Sequence, residues 1–115
     1  MARVKVQLEW PDDLGALPEG ARARVTVEDT SQSDAASVVL AETELDLGAG
    51  TVPATELDVP EVDPSSDVIV RVHVSPAGRR AAGVEVGDLI STQSHPVLTR
   101  GFGDSVVVPL RRVGS

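Results

Sequence analysis

The sequence predicts an all-β fold: a single antiparallel β-sandwich of about seven strands with Greek-key connections, similar to immunoglobulin or transthyretin domains. Three observations support this prediction. Apolar and polar residues alternate with a period of two, as at Val4, Val6 and Leu8, which is typical of strands that bury one face. Valine, which favours strands, occupies most of these apolar positions. Clusters of Gly, Pro, Asp and Ser separate the alternating segments and indicate turns.

The first three strands follow one another in the N-terminal half of the chain. Residues 3–10 alternate and end at a proline, and residues 22–29 alternate again after a Pro/Gly turn. Residues 37–47 change phase between Leu40 and Leu45, which predicts a β-bulge. A helix is the alternative for this third segment, because Ala, Leu and Glu favour helix. Adjacent valines and the absence of a 3.6-residue apolar period disfavour it.

Four further strands complete the predicted sandwich. Two of them contain a proline, Pro53 and Pro109. Because proline cannot donate a ladder hydrogen bond, we expect both strands at sheet edges or, for Pro109, at a bulge. His73 falls opposite the valine face of its strand, so we expect it to be solvated. The four strands are 51–59, 67–74, 88–94 and 104–113.

Composition limits the possible functions. A chain of 115 residues predicts one domain over residues 1–115. The net charge of −8 without a basic stripe argues against nucleic-acid binding. The sequence has no apolar run of about 18 residues, so it predicts no membrane span. The sequence lacks cysteine and a signal peptide, which predicts a cytoplasmic location for the chain as written. The alternative is the cell envelope, if this chain is a trimmed part of a longer protein. The sequence carries no signal of oligomeric state.

No residue pattern indicates catalysis or a cofactor, so we expect a protein that is not an enzyme and binds no cofactor. Two histidines without cysteine make a weak metal site, even if His95 were joined by a nearby aspartate. Neither a nucleophile elbow nor a phosphate-binding glycine loop is present. Calcium is a separate hypothesis, because Asp29, Asp34 and nearby carbonyl groups could supply oxygen ligands.

Two blocks of the sequence resemble the YbaY/YscW family. The first contains Ala-Leu-Pro-Glu-Gly-Ala at 16–21 and Val-Thr-Val-Glu-Asp-Thr-Ser at 25–31, and the second is Ser-His-Pro-Val-Leu-Thr-Arg-Gly at 94–101. The corresponding family patterns are "LPpGA…V.LeD.S" and "…yPVLT.G", although His95 replaces the aromatic residue here. The resemblance extends from about Ala16 to Val113. It implies a compact β-sandwich, typically an envelope lipoprotein, and its YscW branch implies pilotins that help a secretin ring to assemble.

We therefore expect a non-enzymatic protein-binding or assembly module. A partner would pair with an exposed edge strand, either 51–59 or 104–113. The alternative is a small ligand-binding or enzymatic domain with a site at the loop end near His95 and Phe102. The motif loops could also form a partner-binding rim. The residues of this predicted rim are Asp29, Ser31, His95 and Phe102.

Overall fold

A computed structural model describes residues 2–12, 20–31, 36–47, 54–76, 87–93 and 95–114. Within these ranges the chain forms strands and turns without a helix, which confirms the predicted all-β class, and no helix is available to cross a membrane. Seven strands correspond to the predicted ones, and a two-residue strand at 95–96 is additional. The strands are β1 (Ala2–Glu9), β2 (Arg22–Asp29), β3 (Val38–Asp46), β4 (Ala54–Val59), β5 (Val68–Ser75), β6 (Leu89–Ser91), β7 (His95–Pro96) and β8 (Ser105–Arg112).

The strands follow one hydrogen-bonded path in the order β3-β2-β5-β6-β8-β1-β4, with β7 also paired to β5. The path folds into two layers because β8 changes its partner: residues 105–109 pair with β1, and residues 110–112 pair with β6. We call β3, β2, β5, β6 and β7 the β2 layer, and β1 with β4 the β1 layer. Parts of β3 and β4, the two ends of the path, lie within 8 Å of each other. The sheet is therefore nearly closed, like a barrel.

This topology corrects the prediction of an antiparallel Greek-key sandwich. β1 and β8 pair in parallel, whereas the other pairs of described strands are antiparallel. Alternation along a strand reveals its buried face but not the direction of its neighbour, because parallel and antiparallel pairs share the same period of two. The mixed sheet could not be read from that pattern.

The prediction of an edge strand is confirmed for one of the two segments and wrong for the other. β4, which lies in the predicted segment 51–59, ends the path and is an edge, although Pro53 lies outside the described residues. The segment 104–113 is not an edge, because β8 lies between β6 and β1. Pro109 occurs where β8 leaves β1 for β6, so its missing N–H coincides with a change of partner. The second edge is β3.

The core lies between the two layers and is aliphatic. β1 follows the predicted alternation, since Val4, Val6 and Leu8 are buried and their odd-numbered neighbours are exposed. Val68, Val70, Val72 and Val74 of β5 are buried as well, although Ile69 and Ser75 on the other face of this strand are also buried. Each such side chain contributes about 25 cal/mol per Å² of buried apolar surface. Packing between the layers is therefore the main stabilising contribution to this fold.

β3 contains the predicted bulge. Val27 pairs with Ala41 and Glu28 pairs with Val39, so Leu40 is the extra residue on β3. Directly paired residues share a face of the sheet, and Val39 therefore lies on the outer face with Glu28. Val38 and Val39 are 61% and 48% exposed. The first part of this edge strand thus exposes two neighbouring valines.

Candidate functional site

An open groove of about 330 Å³ lies on the outer face of the β2 layer. Its walls come from β2, β3, β5 and β6, whose register places Arg24 opposite His73 and Thr26 opposite Arg71. Because side chains alternate along a strand, these residues point away from the valine core. We call this feature the outer-face groove. Its lining includes Arg24, Glu28, Val39, Arg71, His73 and Ile90.

Glu28 is the central carboxylate of the groove and is only 8% exposed. Its two oxygens accept hydrogen bonds from the hydroxyl groups of Thr26 and Ser37, and Arg71 Nε lies 3.6 Å away. Burial favours the neutral acid, but the hydrogen bonds from Ser37 and Thr26 and the nearby arginine charges outweigh it. The pKa of Glu28 is therefore lowered, and the side chain is a carboxylate at neutral pH.

The burial of Glu28 and Thr26 corrects the expectation that the outer face of β2 is wet. Both residues belong to the alternating polar positions of the strand, and both are buried. The long side chains of neighbouring strands lie beside them. Arg24 of β2 donates to Glu42 of β3 at 2.9 Å, and this hydrogen bond is the main reason that the pKa of Arg24 is raised. The polar face is therefore an organised network of charged groups.

His73 also differs from the sequence-based expectation. It is partly buried, and its Nε2 lies 2.8 Å from Oδ2 of Asp88, which precedes β6. Ser91 lies in the same groove, but its hydroxyl accepts the Val72 N–H at 3.0 Å and completes the β5–β6 pairing. The hydroxyl bonds the backbone and not His73, so these residues do not form a Ser-His-Asp triad.

A second cluster forms where the two family-like sequence blocks meet at the start of β5. Asp29 accepts hydrogen bonds from the backbone and hydroxyl of Ser31, and these bonds lower the pKa of Asp29. The Ser31 hydroxyl in turn accepts the Asp67 N–H at 2.9 Å. Asp29 and Ser31 therefore close the turn after β2. Residues 16–19 of the same block lie outside the described ranges.

The second block forms a strained turn against the same strand end. Thr99 N–H donates to Val97 C=O, which is a three-residue turn with Leu98 at a φ of 64°. A bulky residue at positive φ is an outlier that costs of the order of 1–3 kcal/mol. The turn buries Thr99, whose hydroxyl oxygen lies 3.3 Å from the Val68 amide that donates to it. The strained turn at Leu98 therefore places the Thr99 hydroxyl where it accepts a hydrogen bond from the first residue of β5.

A tight hairpin turn follows directly. Phe102 N–H donates to Thr99 C=O, and the two central residues, Arg100 and Gly101, have φ values of 55° and 86°. Positive φ at both central positions defines a type I′ turn. Arg100 also forms an ion pair with Asp67 at 2.9 Å. The motif residues of both blocks therefore have structural roles at this end of the fold.

The structure brings together only part of the predicted rim. Asp29 and Ser31 contact each other, whereas His95 pairs with Val70 on the other side of β5 and Phe102 lies in the hairpin turn, 52% exposed. Burial lowers the pKa of His95. Among the described residues, no Asp or Ser forms a hydrogen bond with His95, so the loop-end enzyme hypothesis gains no support. The partner-binding role of the rim stays a prediction.

Metal binding has little support in the described part of the chain. There, no group of three or more His, Asp or Glu residues is arranged to hold a metal ion. Asp34, the second aspartate of the calcium hypothesis, lies outside the described residues. That hypothesis stays a prediction that calcium titration can test.

The outer-face groove was not predicted from the sequence. Its residues come from four strands that are separated along the chain, and alternation marks them only as solvent-facing positions. One signal was present: Thr26, Glu28 and Arg24 alternate with core residues and combine opposite charges in one strand. Such a pattern is also typical of any solvated strand face, so it does not identify a groove.

Comparisons with known proteins give the context for this site. Residues 1–110 match the family model described as type III secretion system lipoprotein chaperone (YscW). No curated protein sequence matches the chain. The fold is similar to an alternative pilotin from the type II secretion system of Vibrio cholerae, with a TM-score of 0.74 and 18% sequence identity. This match covers 96% of the present chain and 97% of the other, and at this identity it concerns the fold alone.

Proposed function

Because this chain belongs to the YscW family of type III secretion system lipoprotein chaperones, we propose that it is a non-enzymatic assembly module that binds a protein of a secretion system. The family description supports a chaperone role, and the likeness in fold to a pilotin is compatible with it. The observation that carries the proposal is the exposed valine pair of the edge strand β3, which adjoins the outer-face groove.

The family also corrects the expected location. The absence of a signal peptide and of cysteine predicted a cytoplasmic protein, but members of this family are described as lipoprotein chaperones. A lipoprotein acts at a membrane surface through its attached acyl chains. The cytoplasmic prediction is therefore wrong for a member of this family.

The edge strands suggest how a partner would bind. An edge strand presents backbone N–H and C=O groups that an extended segment can pair with. The outer face of β4 carries Glu56 and Asp58, which form ion pairs with Arg3, and charges of this kind protect an edge from pairing. β3 instead exposes Val38 and Val39 at its start. We therefore assign the partner contact to the first part of β3.

The partner proposed here is a secretin subunit. The family resemblance implies pilotins, which help a secretin ring to reach its place and assemble. Such a role needs a recognition surface and not a reacting group. An edge with exposed aliphatic side chains beside a groove meets this need, because backbone pairing provides affinity and side-chain contacts provide selectivity.

A paired substitution tests this proposal in the producing bacterium. Cells that lack the native gene are complemented with the full chain carrying Val38→Lys and Val39→Lys, and assembled secretin rings are quantified. The matched control is Val107→Lys, because Val107 and Val39 are both 48% exposed but Val107 lies on β8 beside β1. We expect about a tenfold loss of assembled rings for the β3 variant and none for the control.

Thermal unfolding and protein level of both variants show whether each remains folded. Because the substituted valines are exposed, we expect melting temperatures near that of the unmodified chain. Full ring assembly with the folded β3 variant would contradict the proposal. Equal losses with both variants would also contradict it, since the effect would then not depend on the β3 edge.

A further inference from the structure

We propose that the outer-face groove binds a carboxylate side chain on an extended, otherwise aliphatic segment of the partner. This inference rests on the proposed function, because it names the chemistry of the segment that would pass over β3. Val39 belongs both to the β3 edge and to the groove lining. A segment that pairs along the β3 edge and turns inward at Val39 therefore enters the groove directly.

The unused hydrogen-bonding groups of the groove are donors. Arg24 bonds Glu42 through Nη2, but its Nε is buried and has no hydrogen-bond partner within the described ranges. The nearest carboxylate oxygen to Arg71 Nε is that of Glu28 at 3.6 Å, which is too long for a hydrogen bond. A guanidinium has five N–H donors and no acceptor. The Arg24 Nε therefore lacks an acceptor from the described residues, and the exposed Arg71 guanidinium beside it has N–H groups to offer to a ligand.

The acceptors of the groove are already engaged. Glu28 accepts from Thr26 and Ser37, and the Ser91 hydroxyl accepts a backbone N–H. The buried Nε of Arg24 is costly to leave unpaired, because an unsatisfied buried polar group loses its hydration without compensation. A carboxylate satisfies such a donor best, since charge-assisted pairs of guanidinium and carboxylate are short and often bidentate.

The groove carries charges of both signs, on a chain of net charge −8. Glu42 is paired with Arg24 at 2.9 Å and offsets its charge, whereas the carboxylate beside Arg71, that of Glu28, lies 3.6 Å from its Nε. At about 0.15 M salt, charges farther away than about 8 Å are largely screened. A ligand carboxylate is therefore attracted mainly by Arg71, and distant acidic residues affect mainly the rate of its approach.

The size of the groove suggests a short segment with aliphatic flanks. The lining runs from Val39 on β3, past β2 and β5, to Ile90 on β6. Three strand spacings of about 4.8 Å give about 14 Å, which is the length of about four extended residues at about 3.4 Å each. One carboxylate near Arg24 and Arg71, with aliphatic residues over Val39 and Ile90, fits this length.

Capped peptides test this inference on the full-length protein. The probes are Ac-Val-Ala-Glu-Ala-Val-NH2, in which the glutamate and both valines point to the same face of an extended chain, and the same peptide with glutamine or lysine at the centre. Nuclear magnetic resonance follows the arginine Nε–H signals during each titration at 0.15 M salt. We expect the glutamate peptide to shift the Arg24 and Arg71 signals and to bind about tenfold more tightly than the glutamine peptide. The lysine peptide should bind more weakly than either.

Variants separate the groove from the rest of the surface. Arg71→Gln should reduce the affinity for the glutamate peptide to that for the glutamine peptide, and Arg71→Lys should retain part of the difference. Arg71 is well exposed, so folding should tolerate both changes. The control is Arg3→Gln, because Arg3 is a similarly exposed arginine on β1 that is paired with Asp58. This control should leave peptide binding unchanged.

Equal affinities for the glutamate and glutamine peptides would overturn the inference, and so would equal effects of Arg71→Gln and Arg3→Gln. These outcomes differ from a failure of the proposed function. If the protein binds the glutamate and glutamine peptides equally but the variant with Val38→Lys and Val39→Lys still fails to assemble rings, only the carboxylate inference is wrong. If those lysines leave assembly intact, the proposed function itself is wrong, whatever the peptides show.

Discussion

Replacing Glu28 by glutamine should destabilise the fold by about 1 kcal/mol at neutral pH. The carboxylate accepts hydrogen bonds from Thr26 and Ser37 inside the protein. Hydrogen bonds to charged groups contribute about 1.5–3 kcal/mol and neutral ones about 0.5–1.5, so the loss is about 1 kcal/mol for each bond. The lower cost of burying a neutral amide offsets part of this loss. Arg71 is well exposed, and its pairing with Glu28 adds little.

The same substitution has a pH signature. The pKa of Glu28 is lower in the folded protein than in the unfolded chain, so its carboxylate contributes stability above the unfolded pKa of about 4.3. This contribution is lost as the pH falls through the folded pKa, because the protonated acid then resembles glutamine. The difference between the two proteins should therefore shrink as the pH is lowered below about 4.

Urea unfolding at pH 7 and at progressively lower pH measures this effect, with Glu56→Gln as the control. Glu56 is exposed and lies 3.7 Å from Arg3, so its replacement should change the free energy of unfolding by less than about 0.5 kcal/mol. A Glu28→Gln loss no larger than that of the control would refute the reasoning. A difference that stays constant down to pH 3 would also refute it.

Three further predictions concern the rest of the fold. Thr99→Val should lower the free energy of unfolding in urea by about 1–3 kcal/mol, because the buried Val68 amide loses its acceptor. Thr99→Ser keeps the hydroxyl and should retain most of that stability, so equal losses in the two variants would contradict the role of the hydroxyl. Residues 1–115, proposed as one domain, should unfold in a single transition with coincident fluorescence and circular dichroism curves, and two separate transitions would contradict this. The calcium hypothesis for Asp29 and Asp34 predicts a higher melting temperature in calcium than in chelator, and identical curves would remove it.

The positions of most strands could be predicted because their signal is local. In β1 and β5, alternate side chains are buried between the layers, and the period of two reports this burial directly. The bulge at Leu40 could also be predicted, since one extra residue shifts the phase of the apolar positions. These features depend on neighbours in the sequence and not on distant contacts.

The place of β8 could not be predicted, because it depends on distant partners. Its N-terminal part pairs in parallel with β1, about 100 residues earlier in the chain, and its C-terminal part pairs with β6. Pro109 correctly marked an interruption in hydrogen bonding, but the interruption is a change of partner and not a sheet edge. A missing donor has the same sequence signature in both situations.

The candidate site was hidden from the sequence for the same reason. His73 was expected in solvent, but it contacts Asp88, which reaches it from the segment before β6. The outer-face groove joins β2, β3, β5 and β6, and its polar residues occupy positions that alternation marks as exposed. Periodicity distinguishes the core from the outer face, but it does not show where an outer face is concave.

Site-specific photocrosslinking in the producing bacterium tests the central claim most directly, namely that a secretion-system protein contacts the β3 edge. A photoreactive amino acid replaces Val39 on β3 in one protein and, in the other, the equally exposed Val107 in the part of β8 that pairs with β1. The predicted result is a discrete adduct with the secretin from position 39 and none from position 107. The absence of a secretin adduct at position 39, or an equal adduct at both positions, would contradict the claim.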